Sequence, residues 1–120
     1  MKKFKILIPV YNDWESLCKL LNDINNIVAS IKNSDFSCVI IDDASTVKIP
    51  KIKTLSNISS LELINMKKNK GHARCIAFGV KYLAKKNDFD YLIVMDGDGE
   101  DRPEELKMLV KKIFTDPNIS

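Results

Sequence analysis

Apolar segments with two different periods alternate along the chain. Short, nearly continuous apolar runs occupy residues 4–10, 36–41, 60–65 and 91–95, and such runs are typical of strands that are covered on both faces. Between them, apolar residues recur every three or four positions from residue 12 to about 32, from 71 to 86 and from about 103 to 114, which predicts helices. The alternation predicts right-handed crossovers and a mainly parallel sheet, in a three-layer α/β/α arrangement of the α/β class.

Local signals refine these predicted elements. Asn12, followed three residues later by Glu15, forms a capping box at the start of the first helix, and Trp14 is expected to face the core. The segment 46–59 has no clear period, and we expect one short helix in it after Pro50. The expected inward stripe of the second helix is Ala73, Ile76, Ala77, Val80, Leu83 and Ala84, and that of the third is Leu106, Leu109, Val110 and Ile113.

Composition excludes several classes of protein. With 120 residues and 45% hydrophobic content, the chain is long enough for one domain with a substantial core. Its formal net charge of +3, with scattered lysines, is too mild for nucleic-acid binding. No apolar run approaches the roughly 18 residues of a transmembrane segment. The three cysteines are odd in number and far apart, which favours reduced core thiols in a cytoplasmic protein over disulfides or a metal cluster.

An acidic stretch follows the last predicted strand. Asp96, Asp98, Glu100 and Asp101 occur within six positions and are separated in part by glycines. Such a cluster repels itself unless a cation lies among its members, and Mg²⁺ and Mn²⁺ take oxygen ligands that they share with substrate phosphates. A solvated acidic turn is the alternative for a bare Asp-x-Asp.

Polar residues follow three of the four predicted strands, at positions 11–13, 42–43 and 96–98. In parallel sheets ligands bind at this carboxyl edge. The turn after the first strand contains no glycine, which argues against a dinucleotide fold. Carboxylates after the second strand can accept hydrogen bonds from a nucleobase imide or a ribose hydroxyl, and Tyr11 offers a ring for stacking. Together with a metal at the acidic stretch, these features predict a nucleoside-diphosphate site.

Four motifs carry a resemblance to a known family. They are ILIPVYND at residues 6–13, VIIDDAS at 39–45, NKGHARCIAFG at 69–79 and VMDGDGEDRPEE at 94–105. In order and spacing they resemble the N-terminal, nucleotide-sugar-binding half of family 2 glycosyltransferases of the GT-A fold, and are similar in pattern to the dolichyl-phosphate mannose synthase type. The resemblance covers residues 1–120 as a single Rossmann-like domain.

The resemblance implies roles for individual residues. The implied nucleotide-sugar-binding residues are Pro9, Tyr11, Asp13, Ile41, Asp43, Asp96 and Gly97, and the implied ligands of Mg²⁺ or Mn²⁺ are Asp96, Asp98 and Glu100. Arg74 joins the nucleotide-sugar-binding set because it lies on the first turn of the second helix, within reach of a phosphate; a plain surface Arg is the alternative. The mannose synthase type usually has Gln at the position of Glu100. Gly97 and Gly99 replace the commoner Ala and Leu, so the sugar and the acceptor do not follow from the resemblance. His72, the only histidine, has no partner Cys or Ser motif and is not expected to be catalytic.

The implied reaction is inverting, metal-dependent transfer of a sugar from a UDP- or GDP-linked donor to an unknown acceptor, a polyprenyl phosphate or a glycan. In the resembled family the general base and acceptor pocket belong to a second half, beyond the position of Ser120. We therefore expect either a piece of a longer transferase or a domain that self-associates through an uncovered face, cytoplasmic or at the cytoplasmic face of a membrane. The alternatives are a non-catalytic nucleotide-sugar-binding domain and a phospho-acceptor receiver domain.

Overall fold

The structure, a computed structural model, describes residues 1–96 and 103–115. Its elements in chain order are β1 (Lys2–Val10), α1 (Trp14–Val28), β2 (Ser34–Asp42), β3 (Leu61–Asn65), α2 (His72–Lys86), β4 (Tyr91–Val94) and α3 (Glu104–Thr115). The strand order is β3-β2-β1-β4, and every neighbouring pair is parallel. The expected α/β class with a parallel sheet is confirmed.

The central strand β1 pairs with β2 along its whole length, from Lys2↔Ser34 to Val10↔Asp42. Its other edge pairs with β4 only as far as Leu7↔Val94. Pro9 lies beyond that last pair, on the edge that faces β4, so its missing N–H removes no hydrogen bond between β1 and β4. Within the described residues, the last three residues of β1 therefore have no strand partner on that side.

Helices cover both faces of the sheet. On one face, α1 and α3 pack over a core that includes Ile6, Ile8 and Ile40. On the other face, α2 packs through Leu83 against Leu7 and neighbouring strand residues. Successive β1 residues thus enter opposite cores, which explains why its apolar run is nearly continuous.

Close contact between α2 and β1 depends on Gly79. A Cβ atom at this position would lie 2.6 Å from Cδ1 of Leu7, a side chain that is fully buried. Only glycine lets the helix axis approach the sheet this closely without displacing Leu7.

The start of α1 differs from the expected capping box. Asp13, not Asn12, is the N-cap residue, and its carboxylate accepts a hydrogen bond from the Ser16 amide. Asn12 has a positive φ of 61°, and its side chain bonds to the loop that follows β2. The helix ends at Val28, earlier than predicted, and Trp14 is buried as expected. The short helix expected after Pro50 is not formed, because the described segment 46–59 contains no helical residues.

The buried faces of α2 and α3 also differ from the predicted ones. The buried residues of α2 are Cys75, Gly79 and Leu83, whereas Val80 is 39% exposed. In α3, Leu109 is likewise exposed. In a helix with many alanines, neighbouring faces differ little in hydrophobicity, so the sequence pattern alone does not show which face is buried. In α2 the buried face is the one that contains Gly79, where the helix packs closely on the sheet.

Strand β4 is less buried than its apolar sequence predicts. Within the described sheet β4 is an edge strand, so its residues are only half-buried and Val94 is 42% exposed.

All three thiols are free; Cys38 and Cys75 are buried as expected, whereas Cys18 is only partly buried. Through residues 1–96 and 103–115, every helix is too short or too polar to cross a bilayer.

Candidate functional site

A cleft of about 190 Å³ opens at the carboxyl edge of the sheet. It is lined by Pro9, Val10, Tyr11, Asp13, Asp43, His72 and Cys75, and we call it the strand-end cleft. These residues come from the end of β1, the end of β2 and the start of α2. Four of the predicted nucleotide-binding residues therefore lie together, and their contact with a nucleotide stays a prediction.

Asp43 is the most constrained side chain of the cleft. It is only 4% exposed, and its two oxygens accept hydrogen bonds from the amides of Lys70 (2.7 Å) and Gly71 (2.9 Å). The Cys75 thiol donates a further hydrogen bond to it. Burial alone would raise the pKa of Asp43, but these donors and the nearby His72 outweigh burial and hold the pKa below its ordinary value. Asp43 is thus a buried carboxylate that stays ionised.

The neighbouring Asp42 stabilises the turn after β2 and does not line the cleft. It is 5% exposed, and its Oδ1 accepts a hydrogen bond from the Ser45 amide at 3.0 Å. This contact shapes the turn that leaves β2, in which Ala44 has a φ of 58°. Asp42 is not among the cleft-lining residues, so the structure distinguishes the two members of the acidic pair.

His72 and Asp96 meet at the β4 side of the strand-end cleft. The distance from Nε2 of His72 to Oδ1 of Asp96 is 2.6 Å, and their side chains are 56% and 37% exposed. From the sequence, His72 is not expected to be catalytic, and the structure nevertheless places it at the cleft. The signal that finds it is topological: α2 follows a parallel strand, so its first residue must start at the edge where β4 ends.

The remaining predicted residues do not line the cleft or lie outside the described part of the chain. Ile41 is fully buried in the core beneath α2, and Arg74 is exposed on the first turn of that helix. Gly97, Asp98 and Glu100 fall outside the described residues.

Asp96 is the described member of the predicted metal set. Its carboxylate has the hard oxygen donors that Mg²⁺ and Mn²⁺ prefer. Within residues 1–96 and 103–115, no three His, Cys, Asp or Glu side chains are grouped to hold a metal ion. The described residues thus offer one ligand for such an ion, and the other two predicted ligands, Asp98 and Glu100, lie outside the described residues.

Cys75 lines the cleft but is not suited to act as a nucleophile. Burial, together with the adjacent Asp43 and Asp42 carboxylates, raises its pKa to about 12. Because the thiolate is the reactive form, a thiol with this pKa stays protonated and unreactive near neutral pH. Its function in the cleft is to donate a hydrogen bond to Asp43.

Comparisons with known proteins agree with the resemblance seen in the motifs. An uncharacterized protein of Methanocaldococcus jannaschii is 29% identical over 110 residues, covering 89% of this chain and 45% of the relative. The dolichol-phosphate mannosyltransferase of Pyrococcus furiosus is 28% identical over 119 residues, covering 98% of this chain and 32% of the relative.

A third relative is the undecaprenyl-phosphate 4-deoxy-4-formamido-L-arabinose transferase of Klebsiella pneumoniae, 28% identical over 115 residues, with 93% of this chain and 34% of the relative covered. The chain thus spans less than half the length of these curated relatives. The profile of the family described as Glycosyl transferase family 2 matches residues 5–120. With nearly its whole length matched, the chain belongs to glycosyl transferase family 2.

Proposed function

We propose that this chain binds a nucleoside-diphosphate sugar in the strand-end cleft and forms the donor-binding part of an inverting glycosyltransferase. The observation that carries the proposal is that Tyr11, Asp13 and Asp43 line one cleft. Asp96 lies next to this cleft, where it contacts the lining residue His72. The family membership supplies the reaction class. The receiver-domain alternative does not agree with this membership and is set aside.

The nucleoside end of the ligand is proposed to lie against Tyr11 and Asp43. Tyr11 is 47% exposed at the rim, which leaves a ring face for stacking on a base. A carboxylate has about four acceptor positions, and three protein donors already use Asp43. Asp43 therefore has room for about one hydrogen bond from a uracil or guanine N–H or from a ribose hydroxyl.

The diphosphate end is proposed to lie toward Asp96. Asp96, with Asp98 and Glu100, would hold Mg²⁺ or Mn²⁺, and the ion would offset the charge that grows on the departing nucleoside diphosphate. His72 donates to or pairs with the Asp96 carboxylate and so limits its orientation. Arg74, two residues further along α2 and exposed on its first turn, is a second candidate for contact with phosphate.

The acceptor is proposed to be a polyprenyl phosphate. Two of the relatives are named as transferases of dolichol phosphate and undecaprenyl phosphate. A phosphate acceptor is already anionic and attacks the anomeric carbon from the face opposite the leaving group, whereas a glycan hydroxyl needs a general base. A glycan is the other acceptor to be tested.

Titration calorimetry with UDP and with GDP, each with Mn²⁺, Mg²⁺ or EDTA, tests the donor site. We expect binding only with a divalent ion, and loss of that metal dependence in Asp98→Ala. Asp88→Ala is the control, because Asp88 is a half-exposed acid that pairs with Lys5 away from the cleft. Equal nucleotide affinity in EDTA would contradict the metal part of the proposal.

Turnover separates an enzyme from a non-catalytic binder. Sugar transfer to a polyprenyl phosphate, or slow hydrolysis of the donor, is the result expected if the domain belongs to an enzyme. Tight donor binding without either reaction would favour a non-catalytic nucleotide-sugar-binding domain.

A further inference from the structure

A strained turn separates β1 from α1. The Asp13 amide donates to the Tyr11 carbonyl at 2.7 Å, closing a three-residue turn with Asn12 at its centre. Asn12 has a φ of 61°, and three-residue turns with positive φ at the centre are rare and strained. Strained backbone persists only where the surrounding structure over-determines it.

The side chain and amide of Asn12 supply that restraint. Its Oδ1 accepts hydrogen bonds from the amides of Thr46 (2.7 Å) and Val47 (3.0 Å), and its Nδ2 lies 3.1 Å from the Thr46 hydroxyl. The Asn12 amide donates to Oγ of Ser45 at 2.8 Å. We call this set of contacts the Asn12 clasp; it joins two loops that are more than 30 positions apart.

The clasp and the cleft share the turn between β1 and α1 but use different residues of it. Tyr11 and Asp13, which flank Asn12, both line the strand-end cleft. Asn12 itself is not among the lining residues and is directed to the loop after β2. That loop begins at Asp43, which also lines the cleft. The clasp therefore holds the two cleft-forming turns at a fixed distance.

We propose that Asn12 is a positioning residue for nucleotide binding, which acts by holding Tyr11 and Asp13 in the strained turn that the cleft requires. The inference rests on the proposed function, because it assumes that the cleft receives the nucleotide. It adds that affinity depends on a residue that does not touch the ligand. If the turn relaxes, only the fraction of molecules in the competent conformation binds, and the apparent dissociation constant rises in proportion.

Two substitutions of Asn12 distinguish the effect of its side-chain contacts from the effect of the strained backbone. Asn12→Gly adopts a positive φ without steric cost. It removes the contacts of the Asn12 side chain with Thr46 and Val47 and keeps the bond from the residue-12 amide to Ser45. Asn12→Asp is isosteric and keeps an oxygen acceptor for the Thr46 and Val47 amides, so it is the conservative rescue. Asn25→Ala is the matched control: Asn25 makes the same kind of contact with Asn57, at 2.8 Å, at the other end of the same loop.

Calorimetry with UDP and GDP, together with amide hydrogen exchange, tests the proposal. We expect Asn12→Gly to weaken nucleotide binding by about tenfold and to speed exchange at Thr46 and Val47. In buffer with enough salt to screen the added charge, Asn12→Asp should restore both properties to near the wild-type values. Asn25→Ala should leave affinity unchanged.

Equal affinity of Asn12→Gly and the wild type, or an equal loss in Asn25→Ala, would overturn the inference. If the wild type binds neither nucleotide, the proposed function is wrong. Unchanged exchange at Thr46 and Val47 in Asn12→Gly would then show separately that the clasp does not hold the turn.

Discussion

Replacing Asp43 by asparagine measures how strongly the buried carboxylate holds the start of α2. In the wild type both oxygens accept backbone N–H groups, from Lys70 and Gly71. An asparagine side chain keeps one oxygen but turns an NH₂ group toward the other amide. One backbone donor then faces a donor and loses its partner.

The expected loss of unfolding free energy in Asp43→Asn follows from these contacts. Leaving a buried donor without a partner costs about 1–3 kcal/mol, and changing a charged acceptor to a neutral one costs about 1 kcal/mol. Lys70 is exposed and Gly71 only half-buried, so water reaches part of the site and the lower end of the range applies. We expect Asp43→Asn to lose about 2 kcal/mol of unfolding free energy.

Asp42→Asn is the matched comparison. Asp42 is buried to the same degree, but its contact is with one amide, that of Ser45. The asparagine oxygen can keep that hydrogen bond, so the expected loss is about 1 kcal/mol or less. Urea unfolding followed by circular dichroism measures both variants, and the Asp43 variant should have the lower midpoint at an unchanged slope.

The pH dependence gives a second readout of the same carboxylate. Its pKa in the folded state is lowered, whereas an unfolded Asp titrates near about 3.9. Its stabilising contribution is therefore complete above about pH 4 and is lost as the pH falls through the folded-state pKa. The difference between wild type and Asp43→Asn should shrink in acid. A constant difference, or an Asp42 variant that is the less stable of the two, would refute the reasoning.

Two further predictions concern the core. Gly79→Val should destabilise the fold by about 1–3 kcal/mol, because its side chain would overlap the buried Leu7; thermal or urea unfolding measures this, and full stability would contradict the packing described. Native protein treated with a thiol reagent at pH 8 should be modified at the half-buried Cys18 alone. Burial raises the pKa values of Cys38 and Cys75 to about 12, so their modification should require unfolding.

Much of the fold could be predicted because its two central strands, β1 and β2, are buried on both faces. The run from Phe4 to Val10 is apolar on successive positions, a pattern that only a covered strand in a layered α/β protein needs. The parallel arrangement then follows from the helices between strands. Asp43 and Tyr11 could be assigned to a common edge because parallel strands end on the same side of the sheet.

What could not be predicted depends on tertiary partners. Asn12 and Asp13 are both good N-cap residues, and only the loop at Thr46 determines that Asn12 is used elsewhere. The contact between His72 and Asp96 joins the start of a helix to the end of an edge strand, and neither residue carries a local signal of the other. The inward face of α2 was misplaced because Gly79, the residue nearest the sheet, contributes no hydrophobic side chain to the pattern.

The pairing of β1 with β4 has a consequence for synthesis of the chain. Lys3 bonds to Asp90 across 87 positions, so one edge of the first strand has no partner until almost the whole described sheet has been made. Nascent chains with an open, apolar strand edge are prone to intermolecular pairing. Lys2, Lys3 and Lys5 interrupt the first half of this strand with charge, and charged residues beside an apolar strand oppose such pairing. The charges of these three lysines thus oppose intermolecular pairing of β1 for as long as β4 is not available to cover its edge.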